Sequence, residues 1–315
     1  MDRRDFLAGS AATALTAAAA NAATTADDIP IIDCHFHLFD ATRPQGAPYT
    51  GSQDYKGGVS LPKDYKREFA HLGVVGAIEL EASSWIEDNL WVLEQLQTDP
   101  LFVGTVGDLE PEKPEFAEYL DRYRKNPLFL GIRCGNIWGR NVASLIDNPA
   151  FIAGLKRLAG TGLVMDTANP DTQLLQAMIR INDKVPDLKI MLDHLPSFDP
   201  KPDQQQGWDA VLKEIHGRPR IYAKLSEIQH RGSPLKGMAA NKPRLDMLMD
   251  VFGEDRVVFG SDWPQSVGAA TPTEIVGIAR QYFATRGRAA AEKYFWRNSL
   301  EFYRWKKRAP NQPSL

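Results

Sequence analysis

From residue 31 to the C-terminus, short β-branched runs alternate with longer amphipathic stretches, and no long break interrupts them. Strands are predicted near residues 31–35, 74–81, 102–107, 129–133, 162–166, 189–193, 220–225 and 256–260. After the fifth, Leu174, Met178, Ile181 and Val185 fall at spacings of four, three and four, the stripe of a helix with one buried face. Eight such units predict a closed parallel barrel, the α/β (β/α)8 or TIM barrel, as a single domain over residues 23–315. An open doubly wound sheet would want a glycine-rich phosphate turn after the first strand, and none is present. A chain of 315 residues with 43% hydrophobic content is long enough for the larger barrel core.

Departures from the alternation mark further features. Residues 38–63 form a long connection rich in Gly, Pro and Tyr without helical periodicity, expected to cover one mouth of the barrel. The stretch 195–208, with Pro196, Pro200 and Pro202, is expected to be a second rim loop. Residues 288–306 read as an extra C-terminal helix that packs Tyr294, Phe295, Leu300, Phe302 and Trp305 back on the barrel. Ser84 with Glu87 suggests a capping box for the helix after the second strand, and Gly73 a helix end before it.

The first 22 residues stand apart. Arg3-Arg4 precede a mildly apolar, alanine-rich run ending in Ala20-Asn21-Ala22, the order of a twin-arginine export signal, so a periplasmic location is expected. No apolar run after it reaches the roughly 18 residues of a membrane span. A net charge of −3 offers no footprint for nucleic acid. Export permits disulfides, but Cys34 and Cys134 fall on the first and fourth strands, too far apart around a barrel to bridge.

In such a barrel, polar residues at the C-terminal ends of strands converge on one mouth. Those ends carry His35 and His37 (first strand), Glu81 (second), Arg133 (fourth), His194 (sixth), Lys224 and Ser226 (seventh) and Asp262 (eighth). Strict alternation puts His35 and His37 on one face with Asp33, and Cys34 with Phe36 on the other. Two imidazoles aimed into one cavity can polarise an oxygen or hold a metal.

The segments Asp33-Cys34-His35-Phe36-His37-Leu38-Phe39-Asp40, Leu192-Asp193-His194-Leu195-Pro196 and Phe259-Gly260-Ser261-Asp262-Trp263-Pro264 together resemble the amidohydrolase superfamily. The similarity is to its lactonase branch, which includes sugar lactonases and 2-pyrone-4,6-dicarboxylate lactonase. Gly131-Ile132-Arg133, Ala223-Lys224-Leu225-Ser226 and Asn298-Ser299 add to it. Two departures bear on metal content. Metal-dependent members carry a histidine at the end of strand five, where this chain has Val164-Met165-Asp166-Thr167, and binuclear members a lysine on strand four, where Arg133 stands. The resemblance therefore implies no obligatory cofactor, with a single Zn²⁺ on His35, His37 and Asp262 as the alternative.

That resemblance implies a hydrolase opening a small anionic lactone that bears a carboxylate or sulfonate. Asp262 would be the base that activates water; His35, His37 and His194 would polarise the carbonyl. Arg133, Lys224 and Glu81 are the candidate substrate-binding residues, the arginine through bidentate hydrogen bonds. The blander readings are structural: a satisfied core hydrogen bond for His194, and an ion pair of Arg133 with Glu81 or Asp166. His230 and Arg231 lie in a loop within reach of substrate, whereas His71 and His216 read as surface residues. A lactone isomerase, a mononuclear zinc decarboxylase and a solute-binding protein are the competing functions. A homo-oligomer is compatible with each.

Overall fold

All eight predicted barrel strands form. The computed structural model describes residues 28–51 and 55–315; the expected export signal, residues 1–22, lies outside the described residues. The strands are β1 (Ile31–Phe36), β2 (Phe39–Asp40), β3 (Val59–Ser60), β4 (Val74–Leu80), β5 (Phe102–Gly107), β6 (Phe129–Arg133), β7 (Val164–Asp166), β8 (Ile190–Leu192), β9 (Ile221–Lys224) and β10 (Val257–Val258). β1 and β4–β10 pair in sequence order, all parallel, around a barrel. Their residues are almost all buried, because helices cover the outer face and side chains fill the interior.

Among the described residues, eight helices make the outer layer: α1 (Pro62–Phe69), α2 (Asp88–Gln97), α3 (Phe116–Tyr123), α4 (Pro149–Thr161), α5 (Thr172–Lys184), α6 (Gln205–His216), α7 (Gly237–Phe252) and α8 (Pro272–Ala284). The stripe Leu174, Met178, Ile181 and Val185 is buried under α5 as its spacing requires. The C-terminal extension forms as α9 (Arg288–Glu292), a wide π turn (Lys293–Arg297) and α10 (Asn298–Tyr303). It buries Tyr294, Phe295, Phe302 and Trp305, and Tyr303 donates to Asp166 Oδ2 at 2.6 Å.

Local expectations fared unevenly. Gly73 closes the turn before β4 at φ 83°, a conformation that favours glycine. The Ser84–Glu87 capping box does not form: α2 starts only at Asp88, and Ser84 lies exposed in the preceding turn. The connection 38–63 is not wholly irregular, since β2 and β3 pair antiparallel within it and Ser60 Oγ donates to His37 O at 2.9 Å. The rim stretch 195–208 is shorter than expected, being trimmed by the helical turn Leu195–Ser197 and the start of α6. Cys34 and Cys134 are buried and free, and burial pushes both thiols up, Cys134 to about 12, so neither is a reactive thiolate.

The barrel closes between its first and last strands by backbone bonds beyond the ends of β10. Cys34 N donates to Phe259 O (3.0 Å), Asp262 N to His35 O (2.8 Å) and His37 N to Trp263 O (2.8 Å). Asp33 is stapled into the same seam. Its carboxylate accepts from Ser261 N (2.9 Å), His35 N (3.0 Å) and the Tyr65 hydroxyl of α1 (2.7 Å). Asp33 thus turns toward α1 and the closing segment, whereas strict alternation puts it on the face of His35 and His37. A register irregularity between Asp33 and Phe36 breaks the simple two-residue period.

Candidate active site

The seam delivers His35, His37 and Asp262 to one point. His35 Nε2 and His37 Nε2 are 3.3 Å apart, and Asp262 Oδ1 lies 3.3 Å from the first and 3.2 Å from the second. His194, arriving from the end of β8, places Nε2 3.5 Å from the same oxygen and Nδ1 2.8 Å from Ser226 Oγ. Three imidazoles from two strands thus meet around one carboxylate oxygen. Burial lowers the pKa of all three imidazoles, helped by neighbouring cationic Arg133 and Lys224, His37 falling to about 3. The rings are neutral at physiological pH.

A cleft of about 540 Å³ opens above this cluster, with His37, His194, Asp262 and Glu227 on its floor and Arg133, Trp138, Tyr49 and Gln265 among its walls. Tyr49 comes from the 38–63 connection, as expected of a segment covering the mouth. His35 does not line the cleft; it is wholly buried beneath His37 and His194. Lys224 is sealed deeper still at 0% exposure, with Nζ 2.6 Å from Asp166 Oδ2, 3.0 Å from Asp193 Oδ1 and 3.3 Å from His35 Nδ1. It cannot touch a substrate in the cleft.

Arg133 and Glu81 do line the cleft, but both are already engaged. Arg133 Nε donates to Thr167 O at 3.1 Å and sits 3.4 Å from Asp193 Oδ2, while Nη1 donates to Glu81 O at 3.4 Å. Its carboxylate partners are Asp193 and Glu81 rather than Asp166. Glu81 Oε2 accepts from Trp138 Nε1 at 3.0 Å and Ser83 N at 3.2 Å, so this side chain anchors the wall that carries Trp138. Burial, opposed by Arg133, pushes the Glu81 carboxyl to about 8. His71 and His216 are exposed on the outer surface, and His230 lies in the loop after β9 without lining the cleft.

Glu227, which its position in the sequence does not single out, lines the same cleft. Strand alternation after Lys224 and Ser226 turns residue 227 away from the mouth. Its backbone, however, adopts φ 50°, which swings the carboxyl back into hydrogen-bond contact with Asp262. Burial first, then the Asp262 charge, raise Glu227 to about 8. Burial raises Asp262 to about 7, against the pull of Arg133 and the hydrogen bond from Glu227. Glu227 is the proton donor of the pair and Asp262 the acceptor. The same left-handed conformation recurs around the mouth. Among the described residues, seven that are not glycine have positive φ, and five of them, Trp138, Asn169, His194, Glu227 and Asp262, line the cleft.

The family model described as amidohydrolase matches residues 32–305, nearly the whole described chain. This chain is a member of the amidohydrolase family. Among curated proteins, this amidohydrolase is 27% identical over 282 residues to an L-fucono-1,5-lactonase of Burkholderia multivorans, covering 84% of this chain and 92% of that one. It is 23% identical over 243 residues to an L-fucono-1,5-lactonase of Burkholderia ambifaria, covering 75% and 80%. The fold is shared with a crystal structure of an amidohydrolase from B. multivorans with bound zinc (TM-score 0.75, 22% identity, 88% and 100% covered). It is shared also with a putative 2-pyrone-4,6-dicarboxylic acid hydrolase from Pseudomonas putida (TM-score 0.70, 19% identity, 87% and 97% covered).

The donor atoms of this amidohydrolase fit a divalent metal in position. Zinc bonds of 2.0–2.1 Å in a tetrahedron hold ligand atoms about 3.3 Å apart, and the separations around Asp262 Oδ1 run from 3.2 to 3.5 Å. His35, His37 and Asp262 form one such group and His194, Glu227 and Asp262 another. A divalent ion held there would supply Lewis-acid polarisation of a carbonyl oxygen.

Proposed function

We propose that this amidohydrolase hydrolyses a small lactone. The observation that carries the reading is the hydrogen-bonded Asp262–Glu227 pair on the cleft floor, one carboxyl poised to take a proton and the other to give one. Ionised Asp262 accepts a proton from water as the water oxygen bonds to the lactone carbonyl carbon. The Arg133 guanidinium and the neutral His194 ring flank the carbonyl oxygen that gains charge. The ring C–O bond then breaks, and Glu227 gives its proton to the departing alkoxide. The proton on Asp262 passes along the shared hydrogen bond to Glu227, which restores both groups. The names of the curated relatives support this chemistry.

The walls favour a hydroxylated ring. Asn136, Asn169, Gln265 and Tyr49 line them with amide and hydroxyl groups, and Trp138 adds a flat apolar face. For an anionic lactone the cleft offers Arg133, whose charge already faces Asp193 and Glu81, and Arg140, held by Asp108 and Glu110. A pH-indicator screen of neutral sugar lactones and carboxylate-bearing lactones tests both levels, since each ring opened releases one proton. If the protein opens no lactone, the reading fails. If anionic lactones give the higher kcat/KM, the hydroxylated preference fails. We infer also that the twin-arginine segment directs export, which N-terminal sequencing of the periplasmic protein checks.

The two carboxyls set the pH dependence. Asp262 acts when ionised, so kcat/KM rises as pH passes about 7; Glu227 acts when protonated, so the rate falls as pH passes about 8. A narrow bell between those values is expected. Glu227→Gln should lower kcat and remove the falling limb. A profile that keeps that limb unchanged in the variant takes Glu227 out of the mechanism.

A further inference from the structure

Lys224 and Leu80 face the two ends of one imidazole pair and impose a proton arrangement on it. An ammonium group has three N–H donors and no acceptor. Around Lys224 Nζ stand three acceptors, Asp166 Oδ2 (2.6 Å), Asp193 Oδ1 (3.0 Å) and His35 Nδ1 (3.3 Å). Two carboxylates at one nitrogen hold it in the charged form, so His35 Nδ1 must be the unprotonated nitrogen of its ring. The His35 proton therefore resides on Nε2. At the other end His37 Nδ1 lies 2.8 Å from Leu80 O, a carbonyl that only accepts, so the His37 proton is on Nδ1 and its Nε2 carries a lone pair. The two assignments are reached independently and agree: His35 Nε2–H points between two acceptors, His37 Nε2 and Asp262 Oδ1, each 3.3 Å away, and this shared proton offsets the 3.2 Å approach of those two acceptors to each other.

We propose that Lys224 is a positioning residue that sets the metal affinity of the cluster by fixing the His35 tautomer. The donor atoms stand where a divalent ion would want them, yet the proton that Lys224 keeps on His35 Nε2 occupies the lone pair needed for ligation. Ligation through Nε2 moves that proton to Nδ1, against the ammonium. The Lys224 group then has a third donor without an acceptor, in a position with no access to water. Asp193 Oδ2, 3.7 Å from His35 Nδ1, is the acceptor that would serve the ligating tautomer once the amine is gone. The proposal holds whatever substrate the cleft accepts.

Two measurements test it. Long-range ¹H–¹⁵N spectra of the zinc-free wild-type protein should show His35 protonated on Nε2 and His37 on Nδ1; His35 protonated on Nδ1 overturns the proposal. Chelator competition should show zinc bound roughly 10–100-fold more tightly by Lys224→Met than by wild type, the range expected for a partner that orients a metal-binding histidine. The double variant Lys224→Met/Asp166→Asn removes one charge of each sign and should show the same gain if the single variant folds poorly. Zinc affinity no higher than wild type in the folded variants overturns the proposal.

Discussion

Asp262→Asn is expected to lower kcat by roughly 10²–10⁴-fold, the range for loss of a positioned general base. The amide keeps the shape of the carboxyl but cannot accept a proton at neutral pH. KM should change little, because Arg133, Trp138, Tyr49 and the amide-bearing walls remain in place. The melting temperature should stay near that of wild type, since the seam bond from Asp262 to His35 O uses the backbone N–H, which the substitution keeps. Steady-state kinetics on whichever lactone the screen identifies, with a thermal melt as control, read all three quantities. A variant that retains a tenth or more of the wild-type kcat would remove Asp262 from the role of base.

Asp33→Ala is expected to lower stability by about 3–5 kcal/mol. The carboxylate is wholly buried, and three donors converge on it: Ser261 N beyond the last barrel strand, His35 N on the first, and the Tyr65 hydroxyl of α1. Alanine leaves all three donors in the interior without an acceptor. The damage falls on the seam, where the bonds from Cys34, His37 and Asp262 close the barrel. Asp33→Asn retains part of the set through its amide oxygen and should lose less. Urea denaturation measures both, and a loss under about 1 kcal/mol for alanine would show that the seam holds without the staple.

The barrel was legible because its signal is repeated eight times. Each strand is an apolar run followed by a helical stripe, and a miss at one unit, such as the capping box at Ser84, leaves the count intact. The candidate site was legible where a polar side chain stands at or a few residues beyond a strand end, as His37, His194, Arg133 and Asp262 do. It was illegible where depth or backbone torsion decides. Lys224 and His35 alternate toward the interior as expected, but alternation does not reveal that both lie below the cleft floor, cut off from substrate. Glu227 is the converse case: alternation turns it outward, and a positive φ turns it back. Asp33 was assigned to the histidine face because the register irregularity in β1 leaves no mark in the residue types. The tautomers of His35 and His37 depend on Lys224 and on a backbone carbonyl 43 positions away from His37, pairings that only the folded chain defines.

The left-handed residues around the mouth carry a consequence for engineering. Holding a side chain other than glycine in that conformation costs on the order of 1 kcal/mol, less for asparagine. Trp138, His194, Glu227 and Asp262 bear the cost in full, and each places its side chain in the cleft. Glycine at these positions would relieve the backbone strain but would empty the cleft and strand the partners that these side chains hold, Glu81 and Ser226 among them. Relief of backbone strain and turnover therefore pull against each other residue by residue here, and a campaign to harden this protein needs an activity screen beside the thermal one from its first round.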